Sequence, residues 1–413
     1  MPIDFIANFF HFPQKNTIQK NDVQNVSFKR NESNDTFVKT INVGEKTSSA
    51  YDGISVTEKN FGKLTKDEAT AKLYTITNKN GASVSFSDFG ATIVSIKIPD
   101  KNGKLIDVTQ GYDNVTPYET APVGHAGGTI GPCANKINGG KFVINNEEYE
   151  LEKNKDNGQT HCHGGTNGFD VKLWNTQILP DGIEFSYKKA DMESGYPGNV
   201  DIKVTYKFDN DNNLRIMYSA SSDKDTLLNL TNHTYFNLDG EENAQENSVL
   251  EHIVKLPNSS KITENNEMAI PTGRYIDVKG TPFDFRNPHK IKESINNSNE
   301  QLKIGSGYDQ NYCVDNYDGK SLIEVAEVKS EKTGIKLNVY TNLPGFQFYT
   351  ANHLGKTAQP GGKSGLRYEK RSAICVEPQI FPNAINTDNF EEKGILKKGE
   401  TYNREIVYSF ASK

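Results

Sequence analysis

Apolar and polar residues alternate at period two over much of the chain. Leu73–Thr77, Ser83–Ser87 and Thr92–Ile98 follow one another in this way, separated by the turn sequences NKNGA and SDFGA. The pattern recurs at Lys141–Ile144, Ile183–Tyr187, Val200–Phe208, Leu214–Ser219, Ile335–Thr341 and Arg404–Phe410. Successive side chains of a strand point to opposite faces, so each segment predicts a strand with one buried face. Gly, Asn and Asp turns such as DKNG and FDNDNNL join them. No helical period is sustained over ten residues, and no βαβ rhythm or fixed-length repeat appears. Many short strands without helices predict an all-β fold, an antiparallel sandwich or barrel.

The first part of the chain reads differently. Asn16–Ser49 is rich in Asn, Lys, Ser and Thr and has no sustained period. Residues 1–60 are therefore expected to be an extension, loosely ordered or strapped on a surface, with a catalytic domain spanning 61–413. The aromatic residues Phe5, Phe9, Phe10 and Phe12 are read as part of that strap.

Composition narrows the function classes. The formal net charge of the 413-residue chain is −6, without the basic excess of a nucleic-acid binder. No apolar run approaches the ~18 residues of a membrane-spanning helix. The start, MPIDFIANFFHF, lacks the basic opening of a secretory signal. Cys133, Cys162, Cys313 and Cys375 lie far apart in no paired spacing, as expected of free thiols in the cytosol.

Six stretches put polar groups where a plain strand would not. In NLTNHTYFNLDG, a strand would set Asn229, Thr231, His233, Tyr235 and Asn237 on one face, a row of neutral hydrogen-bonding groups without a Lys, Arg, Asp or Glu. That face suits a neutral polyhydroxylated ligand. His233 alone also fits a hydrogen-bonded structural role. TIGPCANKINGG brings Asn135 and Lys136 into a glycine-flanked segment, which also fits a turn before a strand. HCHGGTNGFD holds His161, Cys162 and His163 before a double glycine. Two histidines at this spacing invite a zinc reading, but Cys162 would point the other way and no second pair lies at zinc-site spacing. A tight loop presenting one imidazole fits better, and no metal or cofactor is expected. GYDQNYCV places Asp309 after a turn, and LPGFQFYTAN sets Gln347 and Tyr349 opposite Phe346 and Phe348. In SAICVEPQIFPNAIN, Glu377 closes an apolar run. It is either a solvated strand end or a partly buried base with a raised pKa.

Taken together and in order, these motifs resemble the aldose 1-epimerase (galactose mutarotase) family from about residue 61 to the C-terminus. The resemblance carries most weight in the stretches around His233 and Glu377. It implies a large antiparallel β-sandwich, the galactose mutarotase-like supersandwich, whose concave face binds a free hexose. It further implies His233 as general acid, Glu377 as general base and His163 near the sugar ring oxygen. Asn135, Lys136, Asp309 and Gln347 would bind the substrate. Two residues depart from the family pattern, Lys136 and Pro132, where arginines are expected; Lys offers a single ammonium in place of a planar fork. The implied partner is a small-molecule aldose; from composition neither nucleic acid nor membrane is expected, and the expected state is a monomer or weak dimer. Three rival readings follow from the same residues: a hexose-6-phosphate mutarotase, a glycoside hydrolase using Asp309 and Glu377, and a carbohydrate-binding protein without catalysis.

Overall fold

The computed structural model describes residues 46–120, 123–355 and 361–412. The alternating segments are strands, among them Ser83–Ser87, Thr92–Pro99, Val200–Phe208, Asn213–Ser222 and Ile335–Thr341. Three antiparallel sheets carry the fold. A six-stranded meander runs in chain order from Lys46–Tyr51 to Leu105–Asp107. A nine-stranded sheet begins at Asn175–Leu179 and includes Val200–Phe208, Asn213–Ser222, Thr401–Ser412 and Ile335–Thr341 as inner strands. The third has five strands in the order Pro271–Asp277, Lys261–Asn265, Asp309–Cys313, Gly345–Tyr349 and Cys375–Gln379.

Period-two burial explains why these segments are strands. Along Val200–Phe208 every second residue is buried: Val200, Ile202, Val204, Tyr206 and Phe208. Each apolar side chain removed from water contributes roughly 1.5–3 kcal/mol, so slipping the register by one residue would forfeit the whole face. The six- and nine-stranded sheets meet through these faces, with the rings of Phe86 and Tyr206 centred 4.5 Å apart. Phe346 and Phe348 of the five-stranded sheet join the same core. The turns work as their residues predict. Asn78 Oδ1 accepts the N–H groups of Asn80 and Ala82, and Asp100 Oδ1 those of Asn102 and Lys104. The longest helix among the described residues is the six-residue Glu300–Gly305.

Two expectations change. Residues 46–60 are not extension. Ile54–Lys63 is a strand paired on both sides, with Ile54 and Val56 in the core. Its residues Thr57–Asn60 are polar and half-buried or exposed, so composition conceals an edge-region strand. The expected strap over residues 1–45 lies outside the described residues.

The stretch Asn229–Asn237 is not one strand. Only Thr231–Asn232 pairs regularly, with Thr129–Ile130, while Phe236 bridges Thr109 and Ile374. Asn229 clasps the backbone of Ile380, accepting its N–H and donating to its carbonyl. Asn237 donates to the carbonyls of Asn243 and Ser372. These amides replace ladder hydrogen bonds where three chain segments converge, leaving His233 and Tyr235 to face a cleft.

Ile54→Ala should lower unfolding free energy by about 2–5 kcal/mol in urea titration, the cost of a core truncation. An unchanged midpoint would return residues before Phe61 to the status of an appendage.

Candidate active site

Three neighbouring strands build the floor of a cleft of about 600 Å³. Register puts Gln347 directly opposite Glu377 on one side and Asn311 on the other. Because the strands alternate, Phe346, Phe348 and Val376 enter the core while Gln347, Tyr349 and Glu377 line the cleft. Gln347 Nε2 donates to Asp309 Oδ1 at 2.6 Å. Gln379, beneath them, donates toward Asn311 Oδ1 and Gln347 Oε1, each at 3.3 Å. The amides of one sheet face thereby hold one carboxylate, Asp309, in a fixed orientation.

Tight loops supply the wall. The strand Thr160–Cys162 ends as the chain enters a left-handed conformation at His163, φ 53°. Gly164 follows at φ 83°, and a Cβ there would stand 2.0 Å from the Gly131 carbonyl oxygen, so only glycine fits. This turn aims His163 into the cleft. Its N–H donates to the Asn135 carbonyl, and its Nδ1 accepts the Asn135 N–H at 3.2 Å. With Nδ1 an acceptor, the neutral imidazole carries its hydrogen on Nε2. His161 turns elsewhere, bonded to Tyr196 and the Glu152 carbonyl. The two histidines of HCH thus have separate surroundings, one structural and one facing the cleft.

His233 is tied through its backbone to Gly127 and Gly128. Its ring stacks on Tyr235, centroids 4.9 Å apart, and its Nδ1 lies 3.6 Å from Cys375 Sγ. Its Nε2 faces Glu377 Oε2 at 3.6 Å, beyond an ordinary hydrogen bond. Glu377 is 2% exposed and His233 5%. Burial, then the nearby Asp309 carboxylate, pushes the Glu377 pKa well above the usual carboxylate range. Burial, then His125, pulls His233 down to about 3. Both shifts have one main cause: desolvation opposes a charge on either group. Glu377 Oε2 has no hydrogen-bond partner among the described residues. Such a buried polar atom is costly unless a ligand engages it.

Asn135, Lys136, His163, His233, Asp309, Gln347 and Glu377 all line this cleft. Lys136 reaches it differently from a simple sugar ligand. Its Nζ bonds Asp156 at 2.9 Å and the Met268 carbonyl at 2.5 Å, tying two rim loops together. Pro132 is buried, receives the Asn229 N–H on its carbonyl and is not part of the cleft lining. Asp170, Tyr235 and Tyr349, which end or sit within the motifs HCHGGTNGFD, NLTNHTYFNLDG and LPGFQFYTAN, also line the cleft, as does His125, which lies outside every motif. They belong to loops and to strand faces that become a site only through topology.

Donor atoms of His163, His233 and Glu377 lie within 4.8 Å of one another. Ligands sharing a tetrahedral zinc with 2.0–2.1 Å bonds stand only about 3.4 Å apart. The Asn135 N–H also occupies one imidazole lone pair of His163. The set is suited to hydrogen bonding and proton transfer more than to holding a metal.

Comparison with known proteins agrees with this geometry. A profile of the family described as Aldose 1-epimerase matches residues 72–409. The chain is 35% identical over 359 residues to the galactose mutarotase of Sus scrofa, covering 87% of this chain and 99% of that one. It is 35% identical over 350 residues to the aldose 1-epimerase of Haemophilus influenzae, covering 83% of this chain and 97% of the relative. Among solved structures, an aldose epimerase homologue from C. elegans superposes with a TM-score of 0.73 at 32% identity, over 82% of this chain and 98% of that chain. A galactose 1-epimerase from Lactobacillus acidophilus gives a TM-score of 0.72 at 25% identity, over 86% and 98%. The shared sandwich, and the profile match that runs through every cleft motif, make this chain a member of the aldose 1-epimerase family.

Proposed function

We propose that the cleft interconverts the α and β anomers of a free aldohexose such as glucose or galactose, with Glu377 and His233 as the proton-transfer pair. The observation that carries this reading is the pair itself: a buried carboxylate and imidazole facing each other at 3.6 Å in a cleft floored by Asp309 and Gln347.

Ring opening moves two protons. The anomeric hydroxyl gives its proton to Glu377, the bond between the anomeric carbon and the ring oxygen breaks, and the ring oxygen takes a proton from His233. An aldehyde results. Rotation about the bond between its first two carbons presents the other carbonyl face, and closure runs both transfers backwards. The pair needs one proton in total. In the protein alone burial puts it on Glu377. A sugar whose hydroxyl donates to Glu377 and whose ring oxygen accepts from His233 favours moving it to the imidazole. His163, with hydrogen on Nε2, is a donor for the sugar near its ring oxygen, and Asp309 accepts hydroxyl bonds of the stronger, charge-assisted kind. Asn135 and Lys136 complete the substrate contacts from the rim.

The rivals fit less well. A phosphorylated sugar needs converging cations, yet Lys136 and Lys155 are outnumbered along the cleft by Asp156, Asp170, Glu267, Asp309 and Glu377. A hydrolase would use Asp309 and Glu377 across a bond. Here Asp309 is held by Gln347, and Glu377 is paired with His233. A binding protein without catalysis gives no reason to bury two ionisable groups face to face. The cytosol suits the four buried, unpaired cysteines. No helix among the described residues is long and apolar enough to cross a membrane.

Glu377→Gln and His233→Asn should each slow mutarotation of fresh α-D-galactose and α-D-glucose by about 10²–10⁴-fold in polarimetry, the usual contribution of a positioned acid or base. Either variant retaining a tenth of wild-type kcat would remove that residue from the reaction.

The pH profile gives a second check. Activity requires one proton on the pair, so it falls at low pH when His233 takes a second. His233 is lowered to about 3, and it stays neutral until the solution is far more acidic than the ordinary imidazole range. On the alkaline side, activity falls when Glu377 gives up the last proton, well above the usual carboxylate pKa. The kcat/KM profile should therefore show no acid limb between pH 5 and pH 7, and a rising limb centred near 6.5 would contradict the burial argument.

A further inference from the structure

A third imidazole stands in the cleft beside the two already given roles. His125 Nδ1 lies 2.6 Å from Asp170 Oδ2. Asp170 is 7% exposed, so the carboxylate is anchored within the wall and fixes the ring in one orientation. The His125 ring is centred 4.8 Å from His163 and 6.0 Å from His233. Its backbone is left-handed, φ 53°, a conformation that costs energy for a side chain this large. Neighbouring contacts impose it. Gly128 donates its N–H to the His125 carbonyl, and Gly124 is pressed so close to Tyr235 that a Cβ would stand 2.6 Å from its hydroxyl.

The hydrogen-bond partners of the two neighbouring rings set opposite polarities. His163 Nδ1 accepts a backbone N–H, which leaves Nε2 as a donor. His125 Nδ1 donates to Asp170, which leaves Nε2, on the far edge of the ring, as an acceptor. A donor and an acceptor on adjacent rings match neighbouring oxygens of a sugar, one accepting and one donating. We infer that His125, oriented by Asp170, accepts a hydrogen bond from a non-anomeric hydroxyl of the substrate and so helps determine which aldose is used. The inference rests on the mutarotase reading and adds a specificity residue to it. A mere packing role would not need the buried carboxylate behind the ring.

The test pairs residue changes with hydroxyl deletions. Steady-state mutarotation of galactose and its 2-, 3-, 4- and 6-deoxy analogues is measured for wild type, His125→Phe and His125→Asn. Phe keeps the ring's bulk without an acceptor. Asn tolerates the left-handed backbone but is too short to meet both Asp170 and a sugar, so it serves if the Phe variant does not fold. The expected result is a roughly tenfold rise in KM for galactose with kcat changed by less than about threefold. For one deoxy sugar, wild type and variants should have the same KM, because the same interaction has been deleted from the other side. A variant-to-wild-type KM ratio equal for galactose and all four deoxy sugars overturns the inference. A wild-type protein that accelerates mutarotation of no sugar overturns the underlying reading instead.

Discussion

Two ionisable groups, taken out of water and set facing each other, are the constraint on which the rest of this protein depends. Placing Glu377 and His233 in the interior removes solvation from both, and their attraction at 3.6 Å does not restore it as a short ion pair would. Burial disfavours a charge on either group, and under the proposed mechanism the pair shares one proton. A sugar with a hydroxyl on one side of the anomeric bond and an ether oxygen on the other lets that proton redistribute without a net charge entering the cleft. The large β core is what makes the arrangement affordable. It places the two groups on separate structural units, a strand of the five-stranded sheet for Glu377 and the irregular segment after Thr231–Asn232 for His233.

How those units are joined explains the accuracy of the placement. Glu377, Gln347 and Asp309 come from three adjacent strands whose opposite faces carry Val376, Phe346 and Phe348 into the core. Any slip of register would expose that apolar row, so hydrophobic burial on one face sets the positions of Glu377, Gln347 and Asp309 on the other. The His233 side has no such ladder. There the buried amides of Asn229, Asn232 and Asn237 take the place of backbone pairing and pin an irregular segment at several points. The row of neutral polar residues around His233 is largely the means of holding that imidazole, and only in part a surface for the ligand.

This division accounts for what could be read from the sequence. Strands with alternating burial, such as Val200–Phe208, are local, and their period is visible in the residues themselves. The double glycine after His163 announces a turn that aims one ring, because the chain can follow that path only without a side chain. The paired motifs around His233 and Glu377 are visible as family resemblance, but their meeting is a product of topology. Other features leave no local trace. Ile54 and Val56 sit in a segment whose Asn, Lys and Thr content hides a strand held by neighbours on both sides. His125 comes into view only because Asp170, forty-five positions later, stands behind it.

Lys136 shows why a departure from a family pattern is best judged by its contacts. Read as a residue type, it is an arginine that has lost its planar fork and one strong hydroxyl bond. Read in place, its ammonium joins Asp156 to the Met268 carbonyl across the rim. An ammonium has three donors, and two are committed to protein. The position has therefore shifted from ligand recognition towards holding the cleft's edge, with one donor left for a sugar. A guanidinium's fork would offer more donors to a sugar than the ammonium has left. The carboxylate-backed imidazole proposed to contact the sugar at His125 would accept from a hydroxyl, whereas a guanidinium can only donate. Such an exchange changes which hydroxyl geometry is favoured while leaving Glu377 and His233 where they are.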